Sequence, residues 1–318
     1  MDVLRILACL GVILNHISAS CLAQGYAAIG TSERLFCGIL NVCFNGWPVP
    51  IFVMITGFFF LQPEKKLPLK KLYEKNIFRL VLSLVFWTWF YAITLHCRYT
   101  SFYPFGGQTN NFWYIGMCIG LYISMPVLRS VAANAKLLTY SCWIWLFIQF
   151  YLYIGYYVEV PIIITDYVFV GYIGICLWGY YLSRVQLGQR QTRIVYTIGV
   201  FSLIARIVLP MVTNGKVRYF SMESPDSFLT SIAIFLFVMK HPIQLSPKKE
   251  RIVTHLSGMT FGIYMVHTFV VVETFTRLHR FFPNVYVLVP LAILVTIVSS
   301  YFIILIIKQI PYLKKWVV

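Results

Sequence analysis

The sequence predicts an all-α polytopic membrane protein, a bundle of about ten transmembrane helices with both termini cytoplasmic. Three observations lead there. Of the 318 residues, 59% are hydrophobic and only 11% charged, and the mean hydropathy of +0.77 lies above what soluble domains show. Apolar runs long enough to cross a hydrocarbon core of about 30 Å as a helix recur along the whole length. Lysines and arginines crowd into alternate connections between those runs, the pattern that fixes orientation in a membrane.

Taken in order, the runs place helices near 3–23, 35–61, 77–96, 112–131, 137–157, 167–183, 194–213, 226–240, 256–274 and 285–309. The first starts almost at Met1 with no small-x-small site after a short apolar core, so no cleavable signal peptide is expected. The 226–240 run is short and reaches back toward Pro225. No soluble domain, internal repeat or low-complexity tract is left over, and residues 1–318 read as a single transmembrane domain.

The basic residues test the topology. Lys65, Lys66, Lys70, Lys71 and Lys75 fall in the second connection, Arg129 and Lys136 in the fourth, and Arg184, Arg190 and Arg193 in the sixth. Lys240, Lys248, Lys249 and Arg251 fall in the eighth, and Lys308, Lys314 and Lys315 follow the last helix. The opposite connections hold only Arg34, Arg98, Lys216, Arg218, Arg277 and Arg280. Such a pattern needs an even number of crossings. It also accounts for the net charge of +16 through short loops facing anionic headgroups, so no nucleic-acid partner is expected. The eight cysteines are scattered singly, mostly within apolar runs, and read as small core residues. They form no metal-ligand spacing, and a disulfide among Cys21, Cys37, Cys43 and Cys97 has no support from spacing.

Three basic residues belong to no loop: Arg5, Arg79 and Arg206. An ionisable group inside a bilayer usually faces a bundle interior or a wet cavity, because facing lipid costs at least about 2.5 kcal/mol. Arg5 and His16 are eleven positions apart, which is about 1100° of helical rotation, so they share one face of the first helix. Their rise of about 16 Å sets Arg5 near the cytoplasmic surface and His16 about halfway across. One account makes Arg5 a snorkelling anchor and His16 a hydrogen-bonded packing residue; the other makes them two ends of a half-membrane channel.

Arg79 opens the third helix at the level of Arg5, behind the segment PEKKLPLKKLYEKNIFR. Two guanidiniums at one depth beside a lysine-rich loop suit an anion with several phosphates, whereas a plain positive-inside anchor is the other reading. The loop, with Leu67, Leu69 and Leu72, is compatible with an interfacial helix. His267 in SGMTFGIYMVHTFV lies near mid-depth of the ninth helix, above a small-xxx-small ridge of Gly258 and Gly262, and faces the same interior as His16 or makes a structural hydrogen bond. Arg206 fits a buried ion pair with Glu223 or Asp226, or an acceptor-binding group.

These residues carry a family resemblance. DVLRILACLGVILNHIS, with Arg5, ten intervening residues and His16, resembles the signature of the acyltransferase-3 family of bacterial membrane acyltransferases. VPIFVMITGFFF at 49–60 resembles the family's Pro-x-Phe-Phe-x-x-Ser-Gly-Phe run, with Thr56 in the Ser position. FRLVLSLVFW at 78–87 is similar to its Arg-containing third helix. NFWYIGMCIGLYISMPVL at 111–128 is similar to its Trp, Tyr and Pro segment, and GIYMVH at 262–267 to its closing Gly-x-Tyr-x-x-His. The chain departs from the pattern in lacking the fourth-helix Glu of many polysaccharide-acylating members, where Ile119 and Gly120 stand, and the Pro common after the arginine of the third helix.

The resemblance implies transfer of an acyl group, commonly acetyl, from cytoplasmic acyl-CoA to a hydroxyl of an extracytoplasmic sugar, glycan or other cell-envelope acceptor, in a bacterial plasma (inner) membrane. Acetyl-CoA is the expected donor, and no metal is called for. Arg5 and Arg79 would hold the donor's phosphates, with a pantetheine arm of roughly 15 to 20 Å running toward mid-membrane. His16 would act as general base, in preference to a transient acyl carrier. Asn15 or Thr56 would orient the ring or donate to the oxyanion, and Trp113 and Tyr122 would line the cavity. The expected partners are acyl-CoA, a glycan or lipid-linked sugar acceptor and the lipid bilayer, and an oligomer is compatible with all of this. A competing expectation is a transporter or exporter of a small or lipid-linked sugar using the Arg5/His16 cavity, and a third is a non-catalytic scaffold.

Overall fold

The computed structural model describes residues 1–28, 30–94, 112–158, 171–213 and 224–318, which are helical almost throughout and contain no strand. In chain order the helices are α1 (Asp2–Ala23), α2 (Ser32–Asn45), α3 (Pro48–Phe60), α4 (Leu69–Lys71), α5 (Phe78–Thr94), α6 (Trp113–Ala133), α7 (Ala135–Val158), α8 (Tyr172–Arg184), α9 (Gln189–Val212), α10 (Pro225–Lys240), α11 (Pro247–Ser257), α12 (Thr260–Leu278), α13 (Val285–Ile307) and α14 (Pro311–Trp316).

Among the described residues, seven helical runs are long and apolar enough to cross a membrane, and α11 with α12 makes an eighth if that bent pair is one span. The expected count of ten is therefore reached only by including α8 and α10, which have 13 and 16 described residues. Large apolar side chains stand outward on the long helices, Phe147 at 65% and Phe201 at 70% exposure among them, as a lipid-facing surface requires.

Local chemistry sets the breaks. The expected single helix 35–61 is interrupted at Gly46–Trp47, because Pro48 and Pro50 lack an N–H and crowd the carbonyls four residues back. The lysine-rich loop ends in α4 and a π-helical turn, Leu72–Ile77, that runs directly into α5 instead of forming a separate interfacial helix. The expected ninth helix begins at Thr260 rather than 256, and meets α11 at 54°. Gly258 falls in that bend, where its carbonyl accepts from Lys308 at 2.7 Å, so it forms no packing ridge with Gly262.

The chain divides into two compact units. The first comprises Met1–Gly11, Val42–Lys66 and Met125–Glu250. Its helices cross at glycines: a Cβ on Gly57 would lie 1.9 Å from the Cys176 carbonyl oxygen, and one on Gly179 would lie 2.2 Å from that of Met54. α3 and α8 thus touch backbone to backbone and run antiparallel, the approach that small residues permit in an apolar medium. α9 and α10 are joined by the buried Arg206, which donates to Asp226, Ser227, the Ser224 hydroxyl at 3.4 Å and the Val42 carbonyl at 3.2 Å. Val42 is in the last turn of α2, so Arg206 also satisfies a carbonyl that the helix end leaves over. Of the two acids expected for Arg206, Asp226 is its partner and Glu223 lies outside the described residues.

The second unit comprises Val12–Asn41, Leu67–Ser124 and Arg251–Val318. In it α1 and α12 run parallel, since His16 meets His267 and Tyr26, further on, meets Phe275 at 5.7 Å. α5 is parallel to them, with Arg79 against Phe261 and Tyr91 against Met265. Gly262 packs on Ile304 of α13 and on Val318. The Val317 carbonyl accepts from Ser83 at 2.9 Å and Trp87 at 3.3 Å. The Sγ atoms of Cys21 and Cys37 are 3.2 Å apart as a fully buried thiol pair between α1 and α2.

Removing one member of a buried ion pair strands the other. Arg206→Ala is expected to cost about 3–5 kcal/mol, seen as a lower thermal midpoint in detergent. Replacing both partners, Arg206→Met with Asp226→Leu, is expected to restore most of the loss, because no charge is then left buried.

Candidate active site

α1 and α12 bring two histidines together. The rings of His16 and His267 lie with centroids 5.0 Å apart at 63°, edge to face. His267 is 1% exposed, whereas His16 keeps partial access. The Nδ1 of His267 faces the Tyr264 carbonyl, which can only accept, so the proton sits on Nδ1 and Nε2 carries the lone pair. Thr268 places its hydroxyl 3.3 Å from that Nε2.

The residue before His16 is also paired. Asn41 of α2 donates through Nδ2 to Asn15 Oδ1 at 2.9 Å, fixing one amide against the other beside the histidine turn. Asn15 is 9% exposed. Asn41 was absent from the sequence-based site, although a lone amide in the apolar stretch FCGILNVCF is the kind of signal that marks such a position.

A file of aromatic groups in this unit runs from the histidines toward Arg79. The His267 ring lies 5.5 Å from Tyr264, Tyr264 lies 5.2 Å from Tyr114, and Tyr122 is within electrostatic reach of both Tyr114 and Arg79. Arg79 is half-buried, with its guanidinium 5.6 Å from the Phe261 ring and one Nη donating to the Val318 carbonyl. Its Nε is buried with no hydrogen-bond partner among the described residues.

Arg79 also forms part of the wall of a cavity of about 620 Å³, with Lys70, Lys71, Lys75, Lys315 and Trp316 around it and Glu74 as its one carboxylate. The π-helical turn gives Lys75 and Glu74 their place on this wall, and such turns gather at functional sites. Nearby Lys308 has its ammonium held below the usual lysine range, first by burial and then by the charges of Arg79 and Lys314. The region carries uncompensated positive charge, and an anion with several phosphates would relieve it.

Not every expected residue joins this set. Trp113 is 40% exposed on α6, with its ring 6.2 Å from Tyr114, and Tyr122 is partly accessible. Arg5 and Thr56 belong to the first unit. Arg5 pairs with Asp2 at 3.2 Å and lies 5.8 Å from the Phe59 ring. Thr56 donates its hydroxyl to the Phe52 carbonyl at 2.9 Å, one turn back in α3. Trp316 and Lys315 were not expected at all, because nothing in the pattern of a distant short helix links it to Arg79. No group of three or more metal-ligating side chains occurs among the described residues.

A family model described as an acyltransferase domain, that of the acyltransferase-3 family, matches residues 1–308. No curated protein and no solved structure matches the chain.

Asn15 depends on a single described side-chain donor. Asn41→Ala is expected to leave its buried carbonyl oxygen unsatisfied and to lower stability by about 1–3 kcal/mol. Thermal unfolding in detergent checks this, and Asn41→Asp, which removes the donor while keeping the shape, should destabilise at least as much.

Proposed function

Because the chain belongs to the acyltransferase-3 family and is thereby a membrane acyltransferase, we propose that it moves an acetyl group from cytoplasmic acetyl-CoA to a hydroxyl of an extracytoplasmic sugar, glycan or other envelope acceptor. The observation that carries this reading is the occurrence, in one compact unit, of a cation-walled cavity and a buried histidine pair, with the aromatic file of Tyr122, Tyr114 and Tyr264 from one toward the other. The first suits phosphates and the second suits proton transfer.

Arg79 with Lys70, Lys71, Lys75 and Lys315 takes the phosphates of the donor, and the Trp316 ring offers a face to its base. From Phe261, the level of Arg79, to His267 is six residues of α12, or about 9 Å along the axis. A pantetheine arm of roughly 15 to 20 Å covers that rise with length to spare for lateral displacement. Arg5 is assigned to the donor's phosphates on the family resemblance alone.

His16, the more accessible ring, removes the proton from the acceptor hydroxyl as the oxygen attacks the thioester carbonyl. The carbon–sulfur bond then breaks, and His16 returns the proton to the leaving thiolate. His267 and Asn15 orient the reacting group, the former from behind the ring and the latter from the adjacent position. A neutral His267 with its proton committed to the Tyr264 carbonyl allows His16 to take up charge alone.

Acetyl-CoA binding and acetyl transfer to an envelope glycan fraction separate the roles. His16→Ala is expected to bind acetyl-CoA within about twofold of wild type while transfer falls by roughly 10²- to 10⁴-fold. Arg79→Ala and the exposed Lys71→Ala are expected to weaken binding, the more so at low salt, where screening is least. Full transfer by His16→Ala would overturn the mechanism, and movement of glycan across the membrane without release of CoA would favour an exporter.

A further inference from the structure

The buried hydroxyl of Tyr91 makes an unusual pair of bonds. It donates to the Met265 carbonyl at 3.0 Å and accepts from the Phe269 N–H at 3.0 Å. Those two backbone groups are four residues apart in α12, the donor and acceptor that make one rung of a helix. A side chain of α5 thus bonds both groups of one rung of α12, and a side chain that enters a ladder is one of the few causes that bend a helix locally. The rung it occupies encloses His267. The Thr268 hydroxyl lies 3.3 Å from His267 Nε2 on the same turn.

We propose that Tyr91 is a positioning residue for His267: it holds open the 265–269 rung of α12 and thereby sets the direction in which that turn presents the imidazole toward His16. Tyr91 is 2% exposed, so it has no access to acceptor or donor and acts only through α12. Its ring is packed edge-on to Phe112 at 5.1 Å, which keeps the hydroxyl aimed at the rung.

The physical signature separates positioning from plain stability. In Tyr91→Phe the Met265 carbonyl and Phe269 N–H are left without the phenol but can bond each other, so no buried polar group is stranded. The helix closes its rung, and what changes is the geometry of the turn. The effect on stability is then small, whereas a shift on the order of 1 Å in a group that acts in proton transfer costs up to about a hundredfold in rate.

The role in the reaction rests on the acetyl-transfer reading, so the test has a readout independent of it. In protein selectively labelled with ¹⁵N-histidine, the His267 ring signals are assigned by their loss in His267→Gln. Tyr91→Phe is expected to move those signals, to lower kcat for transfer by roughly tenfold to a hundredfold, and to leave the KM for acetyl-CoA and the thermal midpoint near wild type. His267 signals that coincide in the two proteins overturn the proposal, as does a loss of kcat that merely follows a fall in thermal midpoint. If wild type transfers no acetyl group, the functional reading fails, and the ring signals alone decide whether Tyr91 positions His267.

Discussion

A carbonyl or an amide inside an apolar bundle has no water to turn to, and an unpaired one costs about 2–7 kcal/mol, a charged guanidinium far more. That constraint explains why several of the most polar buried residues of this chain are paired. Asn15 is held by Asn41, Arg206 by Asp226 with two serines and a helix-end carbonyl, and His267 by the Tyr264 carbonyl and Thr268. The first two pairings fix the rotation of one helix against another, because only one register satisfies both groups, whereas His267 is held within α12 itself. The apolar contacts around them are compatible with many registers, so the polar pairs select among packings that lipid and leucine would leave nearly equal.

The same constraint gives the histidine pair its chemistry. A ring that must satisfy Nδ1 on a backbone carbonyl has one tautomer, and a neighbouring ring 5.0 Å away meets a fixed lone-pair and edge arrangement instead of an averaged one. Tyr91 extends the logic to the backbone. Its hydroxyl bonds both the carbonyl and the N–H of one rung of α12, so a side chain of α5 satisfies backbone groups of its neighbour. At the other end of this unit the rule is reversed: lysines of the cavity wall are exposed and five cations face one carboxylate, an imbalance that water tolerates and an anion would relieve.

In the first unit, close-packed glycines act beside the Arg206 network. α3 and α8 approach until a Cβ on Gly57 would overlap the Cys176 carbonyl, and Trp145 covers Gly174 closely enough to exclude any side chain there. Such crossings leave little room for rotation or sliding. Arg129, donating to the Phe60 carbonyl at 2.6 Å and also to that of Lys65, and Arg184, bonded to Glu64 at 2.7 Å, secure the segment that follows α3. Glu64 is held below the usual carboxylate range chiefly by its own backbone hydrogen bond and then by Arg184, as a solvent-facing clasp at the end of a buried helix would be.

The sequence by itself determined the class of the protein, its acyltransferase-3 membership, the common face of Arg5 and His16 on one helix, and the special standing of His16, His267 and Arg206. Those are properties of hydropathy, spacing and the cost of polar groups in lipid, all of which act locally along the chain. It overestimated continuity, because a hydropathy window averages over Pro48 and Pro50 and cannot see a bend at Gly258. Only the tertiary structure decided that His16 meets His267, that Asn41 holds Asn15, that Asp226 is the partner of Arg206, and that Tyr91 bonds two backbone groups of α12. Lys315 and Trp316 joined Arg79 across more than two hundred residues for the same reason: helix packing, not sequence distance, decides which side chains share a wall.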